Sequence, residues 1–235
     1  MFTLEFDSAR RYLSAEDAFP EPVMDLNLSA LAAATVAQDP YPFVILPDFL
    51  SKDDLAAVSR DFPKIDIAGL FPPEELRYGP AFAQLLEQLY GDRLRRLIGE
   101  KFGIDLIGRP TFLTVRTHAR ARDGQIHKDS RFKMLTVLLY LNDSWAADGG
   151  RLRVLRSPSD IEDYVAEVPP DGGSCFIFRC TDNAWHGHKP FQGARRCVQM
   201  NYVLDNEVRL RELRRHSFSA KMKKLGRLVG MGKAA

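Results

Sequence analysis

The distribution of hydrophobic and polar positions divides the chain into two parts at about residue 104. Before this point the apolar residues mainly follow the spacing of helices, and after it they fall into short runs that turn signals separate. Helices followed by a series of strands are typical of an α+β chain. The second part is therefore predicted to form a β-sandwich or barrel.

Three elements are predicted in the first part. The apolar run at 43–46 predicts a short buried strand. Ser51, with Asp54 three residues later, resembles a capping box and predicts a helix that ends at about residue 62. A leucine-rich stripe predicts a second helix from 81 to about 102, interrupted near Gly91.

In the second part, five segments are rich in β-branched, aromatic or apolar residues and are predicted to be strands: 111–118, 133–141, 151–155, 174–180 and 195–203. The segment 134–141 is apolar in both phases of a strand, so both of its faces should be covered. We expect one face to line the barrel interior and the other to pack against the N-terminal helices.

Composition is that of an ordinary globular protein, with 45% hydrophobic and 27% charged residues. No apolar run approaches the roughly 20 residues that span a bilayer, and the first residues do not resemble a signal peptide. The three cysteines, Cys175, Cys180 and Cys197, are odd in number and lack zinc-site spacing. Reduced thiols and a cytoplasmic location are the expectation.

Charge is unevenly distributed, although the net charge is only +2. From Glu207 to the last residue, nine lysines and arginines stand beside two acidic residues. Such a basic tail is suited to contact with an acidic partner or a membrane surface, and a solvated terminal helix is the alternative. No module that reads nucleic acid is recognisable.

His127 and Asp129 form the first candidate for chemistry. Their spacing of two places both side chains on the same face of an extended chain. Two histidines and a carboxylate on one side of a metal are the signature of non-haem Fe(II) oxygenases. His186 and His188 are both candidates for the third ligand, from a distant strand. The alternative is that these histidines are hydrogen-bonded structural residues.

An arginine follows these histidines on entry to the last predicted strand. Its planar guanidinium suits bidentate binding of a carboxylate. Arg195 shares its strand phase with Cys197, Gln199 and Asn201, whereas Arg196 shares its phase with Val198, Met200 and Tyr202. The alternation therefore favours Arg195 for the polar interior and leaves Arg196 as a surface or rim charge.

From about residue 111 to 203 the sequence resembles the Fe(II)/2-oxoglutarate-dependent dioxygenases, in particular the prolyl-4-hydroxylase-like branch. Five motifs in order carry the resemblance: His127-Lys128-Asp129, Leu139-Tyr140-Leu141-Asn142 with Trp145, Gly149-Gly150-Arg151-Leu152, the segment 173–178, and His186 with Pro190 and Gly193-Ala194-Arg195. The histidine-to-proline and histidine-to-arginine spacings of the family fit His186 and not His188.

The resemblance implies a double-stranded β-helix, a jelly-roll barrel, with the N-terminal helices packed on one sheet. It implies that His127, Asp129 and His186 hold Fe(II), and that Arg195 and Tyr140 bind the distal carboxylate of 2-oxoglutarate. An ordinary core aromatic is the alternative for Tyr140. Residues 1–206 are then one oxygenase domain, with a helical part at about 1–103 and a jelly-roll core at about 104–206, and 207–235 form a basic, helical tail.

The implied activity is hydroxylation of a C–H bond in a small-molecule or peptidyl substrate, with O2 consumed and succinate and CO2 released. Two alternatives stay open: a jelly-roll protein that binds or senses a ligand, and a cupin-like metalloenzyme without 2-oxoglutarate. Four arginines near the ligands suggest either an anionic substrate or solvated rim charge: Arg116, Arg120, Arg122 and Arg131.

Overall fold

The computed structural model describes residues 24–228 of the chain. The first residues of the predicted helical part, 1–23, lie outside the described residues, as does the end of the predicted tail, 229–235. The domain boundaries expected from the sequence therefore stay predictions. No helix in the described part is long and apolar enough to cross a membrane.

Five α-helices are described, and their bounds follow local signals in the sequence. They are α1 (Leu28–Ala33), α2 (Lys52–Asp61), α3 (Pro80–Tyr90), α4 (Asp92–Phe102) and α5 (Asn206–Leu228). The capping box is confirmed, because the Ser51 hydroxyl accepts a hydrogen bond from the Asp54 amide at 3.1 Å. Gly91 is extended (ψ 141°) and separates α3 from α4, as the interrupted stripe predicted.

Within residues 24–228, nine strands form two antiparallel sheets, in agreement with the predicted fold class. The strands are β1 (Phe43–Leu46), β2 (Leu70–Phe71), β3 (Thr111–Ala119), β4 (Lys133–Tyr140), β5 (Leu152–Leu155), β6 (Tyr164–Val168), β7 (Cys175–Arg179), β8 (His186–Gly187) and β9 (Gly193–Val203). The larger sheet has the order β1-β7-β4-β9-β3-β2, and the smaller has the order β6-β5-β8.

Strand β4 lies at the centre of the larger sheet, and both of its faces are covered as predicted. Leu135, Val137 and Leu139 belong to the hydrophobic core that the N-terminal helices share. Leu138 and Tyr140 belong to a second core inside the barrel. The same alternation on β9 brings Val198, Met200 and Tyr202 to the helical side. Strand phase thus decides which side chains reach the barrel interior.

The strands that the sequence did not predict are short or partly exposed. β2 and β8 have two residues each, and β6 is an edge strand with one buried residue. Such segments carry little periodicity, because their pairing comes from tertiary contacts. β1 and β2, from the predicted helical part, form the two edges of the larger sheet.

Candidate active site

His127 and His186 face each other across an antiparallel bridge. The His127 amide donates to the His186 carbonyl at 2.9 Å, and the His186 amide donates to the His127 carbonyl at 3.0 Å. The two rings are tilted with centroids 4.3 Å apart. A reciprocal backbone pair fixes two side chains on the same face of neighbouring strands. The histidines are therefore brought together from positions far apart in the sequence.

The backbone also fixes which nitrogen of each ring can bind a metal. Nδ1 of His127 lies 2.7 Å from the Gln125 carbonyl, and Nδ1 of His186 lies 2.9 Å from the Ala184 carbonyl. Because a carbonyl oxygen only accepts, each Nδ1 must carry the proton. In a neutral ring held this way Nε2 keeps its lone pair for a ligand, an arrangement that metal-binding histidines commonly use.

Asp129 completes this cluster with a carboxylate. Its Oδ1 lies 2.9 Å from the ammonium group of Lys133, and its Oδ2 accepts a hydrogen bond from the Thr136 hydroxyl at 2.6 Å. Burial alone would raise the pKa of Asp129, but Lys133, His186 and Thr136 lower it to about 2. The side chain is therefore ionised at neutral pH and can act as an anionic ligand.

One ligand atom from each of His127, Asp129 and His186 lies within 4.8 Å of the other two. Burial and the neighbouring His127 lower the pKa of His186 to about 4, so its ring is neutral at pH 7. Two imidazoles and one carboxylate supply the nitrogen and oxygen donors that a divalent iron ion accepts. The residues present therefore fit Fe(II).

Arg195 and Tyr140 lie together inside the barrel, and for Arg195 this is the side that strand phase predicted. A guanidinium nitrogen of Arg195 donates to the Tyr140 hydroxyl at 3.4 Å, and Nε of Arg195 donates to the Gly150 carbonyl at 3.0 Å. Burial raises the pKa of Tyr140 to about 12 despite the nearby arginine. The phenol consequently keeps its proton and can donate it to an oxygen of a ligand.

Arg195 is only 5% exposed, yet no carboxylate pairs with it among residues 24–228. A buried cation without a counter-ion is costly, so the pocket is suited to an anionic ligand. Arg196 faces the other way, with its guanidinium 5.4 Å from the centroid of the Phe62 ring on the helical side. The two arginines therefore occupy opposite faces of β9.

His188, the alternative third ligand, lies outside the cluster of three. Its Nδ1 lies 2.7 Å from the Lys189 carbonyl, and its ring packs against Gly124, where a Cβ atom would collide with it. Burial and the charge of Arg195 lower the pKa of His188 to about 4. His188 is therefore a neutral neighbour of the arginine pocket.

Sequence reasoning missed the residues that hold Asp129. Thr136 is a polar residue in the otherwise apolar run of β4, which was an available signal for a role inside the barrel. Its hydroxyl also lies 3.2 Å from Oδ1 of Asn201 on the neighbouring strand β9. Lys133, four residues after Asp129, gave no comparable signal, because surface lysines are common.

Two of the four arginines named from the sequence are bound within the protein. Arg116 forms an ion pair with Asp123 at 2.8 Å, and Arg120 donates to the Ala68 carbonyl at 3.2 Å. The backbone amide of Arg120 also donates to Asp123. These contacts order the segment that leads to His127, and Arg122 is exposed beside it.

The second part of the chain matches the model of a known protein family. Residues 115–203 match the model of the 2OG-Fe(II) oxygenase superfamily. This range includes the three clustered residues, Tyr140 and Arg195. Members of the superfamily use Fe(II), 2-oxoglutarate and O2. No curated protein matches the chain in sequence.

Solved structures show the same fold at low sequence identity. A prolyl-4-hydroxylase from Pseudomonas putida is 19% identical, with a TM-score of 0.55, over 80% of this chain and 100% of that one. A prolyl 4-hydroxylase structure from Phytophthora capsici is 14% identical, with a TM-score of 0.50, over 81% of this chain and 69% of that one. Residues 115–203 therefore carry the match to the 2OG-Fe(II) oxygenase superfamily, and the two solved structures show that the chain has a prolyl-4-hydroxylase-like fold.

Proposed function

We propose that this oxygenase hydroxylates a C–H bond of a small-molecule or peptidyl substrate. His127, Asp129 and His186 are its Fe(II) ligands, and Arg195 with Tyr140 binds the distal carboxylate of 2-oxoglutarate. When bound, Fe(II), 2-oxoglutarate and O2 supply the oxidant. One O2 is consumed, 2-oxoglutarate becomes succinate and CO2, and a substrate C–H bond becomes C–OH. Three protein ligands on one side of the ion leave room for the cosubstrate and O2.

The observation that carries this proposal is the buried guanidinium of Arg195. It has no carboxylate partner among the described residues, and it lies in the same barrel as the His127, Asp129 and His186 cluster. A metalloenzyme without 2-oxoglutarate would have no counter-ion for this buried charge. A cosubstrate carboxylate provides a counter-ion and an acceptor for the proton of the Tyr140 hydroxyl.

The chain's own residues have separate tasks in this proposal. Arg195, held by the Gly150 carbonyl, orients the cosubstrate by its far end. Thr136 and Lys133 hold the Asp129 carboxylate in its charged form. The carbonyl groups of Gln125 and Ala184 keep the two imidazoles in the tautomer that presents Nε2.

The decisive experiment is anaerobic titration of the metal-free protein with Fe(II) and 2-oxoglutarate. Chelation of Fe(II) by the 2-oxo acid gives a visible metal-to-ligand charge-transfer band, which we expect for the wild type. We expect Arg195→Ala to need far more 2-oxoglutarate for the same band. His127→Ala should abolish the band at any concentration of the cosubstrate.

His188→Gln is the matched control, because His188 is a histidine near Arg195 but outside the cluster. This variant should keep the band. A wild-type protein without a band, or an undiminished band in His127→Ala, would contradict the proposal. Fe(II) binding that 2-oxoglutarate does not change would support a metalloprotein of another type. Succinate release during a screen of metabolites and peptides would then identify the substrate.

We also propose a cytoplasmic location. The three cysteines support it, because each is a free thiol and reduced thiols are usual in the cytoplasm. Fractionation of cells that carry an epitope-tagged chain tests this location directly.

A further inference from the structure

The apolar contacts of the C-terminal helix α5 with the barrel lie on one side of the helix. Val208 and Leu213 join a small core with Phe112 and Val203, and Ala220 is fully buried. The His216 ring also lies against Phe112, with centroids 6.1 Å apart. Two cations of the helix add contacts with the rest of the protein: the Arg211 guanidinium lies 4.4 Å from the centroid of the Phe132 ring, and Lys221 pairs with Glu75 at 3.5 Å.

The opposite side exposes large apolar residues in a regular pattern. Phe218 is 68% exposed, Met222 51% and Leu225 54%. Their spacing of four and three residues places them in one row along the helix. Leu210 is exposed near the start of the same helix. Single exposed apolar residues are normal on a surface, whereas adjacent exposed apolar residues are typical of interaction sites.

Cations border this apolar row. At 100° per residue, Arg211, Arg214, Arg215 and Lys221 fall on either side of Phe218, and all four are exposed. From 210 to 225 the sequence has one acidic residue, Glu212. Its side chain is mostly buried and pairs with Arg215 at 2.6 Å. We call the outer face of α5 the set Leu210, Arg211, Arg214, Arg215, Phe218, Lys221, Met222 and Leu225.

We propose that the outer face of α5 docks on an anionic lipid surface. A helix face that presents bulky apolar residues together with cations is suited to a membrane interface. The apolar side chains enter the acyl boundary, and the arginines and the lysine stay among the acidic headgroups. The helix contributes this face by itself.

Two other partners fit the outer face less well. A nucleic acid would engage the cations through its phosphates but would leave Phe218 and Leu225 in water. A second copy of the chain would cover the apolar row but would bring two sets of cations together, with a Coulomb cost. An anionic bilayer satisfies the apolar residues and the cations at the same time.

The test uses the purified full chain in co-sedimentation with vesicles. We expect the protein to sediment with vesicles that contain phosphatidylglycerol and not with phosphatidylcholine alone. The double variant Phe218→Glu/Met222→Glu should lower the partition coefficient by about tenfold or more, because two inserted side chains are lost. Ile107→Glu is the matched control, since Ile107 is 56% exposed but lies far from α5 in the sequence. It should bind as the wild type does.

A charge variant tests the second half of the proposal. Arg211→Glu/Arg214→Glu should also reduce binding to anionic vesicles, and added salt should weaken the wild type. Lys64→Glu, an exposed charge in the loop after α2, should bind as the wild type does. Thermal melting and succinate formation establish that each variant is folded.

Several results would overturn the proposal. Equal binding to neutral and anionic vesicles, or full binding by Phe218→Glu/Met222→Glu, contradicts it. Binding to an oligonucleotide without binding to vesicles would identify a nucleic-acid surface instead. A concentration-dependent dimer that Phe218→Glu dissociates, again without vesicle binding, would identify a second copy as the partner.

Discussion

The ammonium group of Lys133 lies 2.9 Å from Oδ1 of Asp129, the carboxylate proposed as an iron ligand. The other oxygen of this carboxylate is held by Thr136 at 2.6 Å. Both oxygens are therefore engaged by donors of this chain. The Lys133 ammonium beside Oδ1 repels a divalent cation, whereas the neutral Thr136 hydroxyl on Oδ2 orients the carboxylate without adding charge. The two neighbours should consequently affect metal binding in opposite directions.

Removal of the lysine charge should tighten metal binding. We expect Lys133→Met to lower the Kd for Fe(II) or Mn(II) by about tenfold, because a nearby cation no longer repels the ion. Anaerobic calorimetry with Mn(II) measures this change. Lys128→Met is the matched control, since Lys128 lies over the Trp185 ring and donates to the Asp182 carbonyl. A higher Kd in Lys133→Met than in the wild type would mean that the lysine mainly positions Asp129.

Removal of the hydroxyl should have the contrary effect. Thr136→Val keeps the shape of the side chain but leaves Oδ2 of Asp129 without its donor. Loss of such an orienting hydrogen bond typically weakens metal affinity about 10- to 100-fold. The same calorimetric titration measures it, and Thr136→Ser should restore most of the affinity. If valine binds Mn(II) as well as threonine does, the hydrogen bond does not orient the ligand.

The opposite directions of Arg195 and Arg196 give a paired prediction for the cosubstrate. Arg195→Lys should raise the Kd for 2-oxoglutarate at least about tenfold in the Mn(II)-loaded protein, because an ammonium cannot reproduce the bidentate fork. Arg196→Ala should leave this Kd unchanged and lower the free energy of unfolding by about 0.5–1 kcal/mol, since it removes the contact with Phe62. Equal effects of the two variants on the Kd would contradict the pocket assignment.

Strand phase explains why these directions could be predicted. Strict alternation on β9 assigned Arg195 and Arg196 to opposite faces of the strand. On β4, apolar residues at both odd and even positions indicated that both faces are covered. These patterns have a period of two that any strand must keep. The capping box at Ser51 and the interruption at Gly91 likewise depend on local backbone requirements, so both could be recognised without a structure.

Long-range pairing could not be predicted in the same way. The two-residue strand β8 exists because His186 and Gly187 pair with Val154 and Arg153 of β5. The backbone bridge between His186 and His127 likewise joins segments that are not typical of a strand by themselves. The contact of Lys133 with Asp129 depends on the turn between them. The outer face of α5 was visible only as a basic tail, because its exposure depends on which side packs against Phe112.

The last prediction concerns pH and His216 on the inner side of α5. Burial and the charge of Arg215 lower the pKa of His216 to about 4, below its ordinary value of 6.5. The unfolded chain therefore binds a proton that the folded chain does not bind in this range, and stability is lost as the pH falls from about 6.5 to 4. His216→Gln should remove this part of the loss, about 1–3 kcal/mol. Urea unfolding at pH 7 and pH 5 measures this loss. Between pH 7 and pH 5 the free energy of unfolding should fall less in His216→Gln than in the wild type. If variant and wild type differ in free energy of unfolding by the same amount at pH 7 and pH 5, His216 titrates normally in the folded protein.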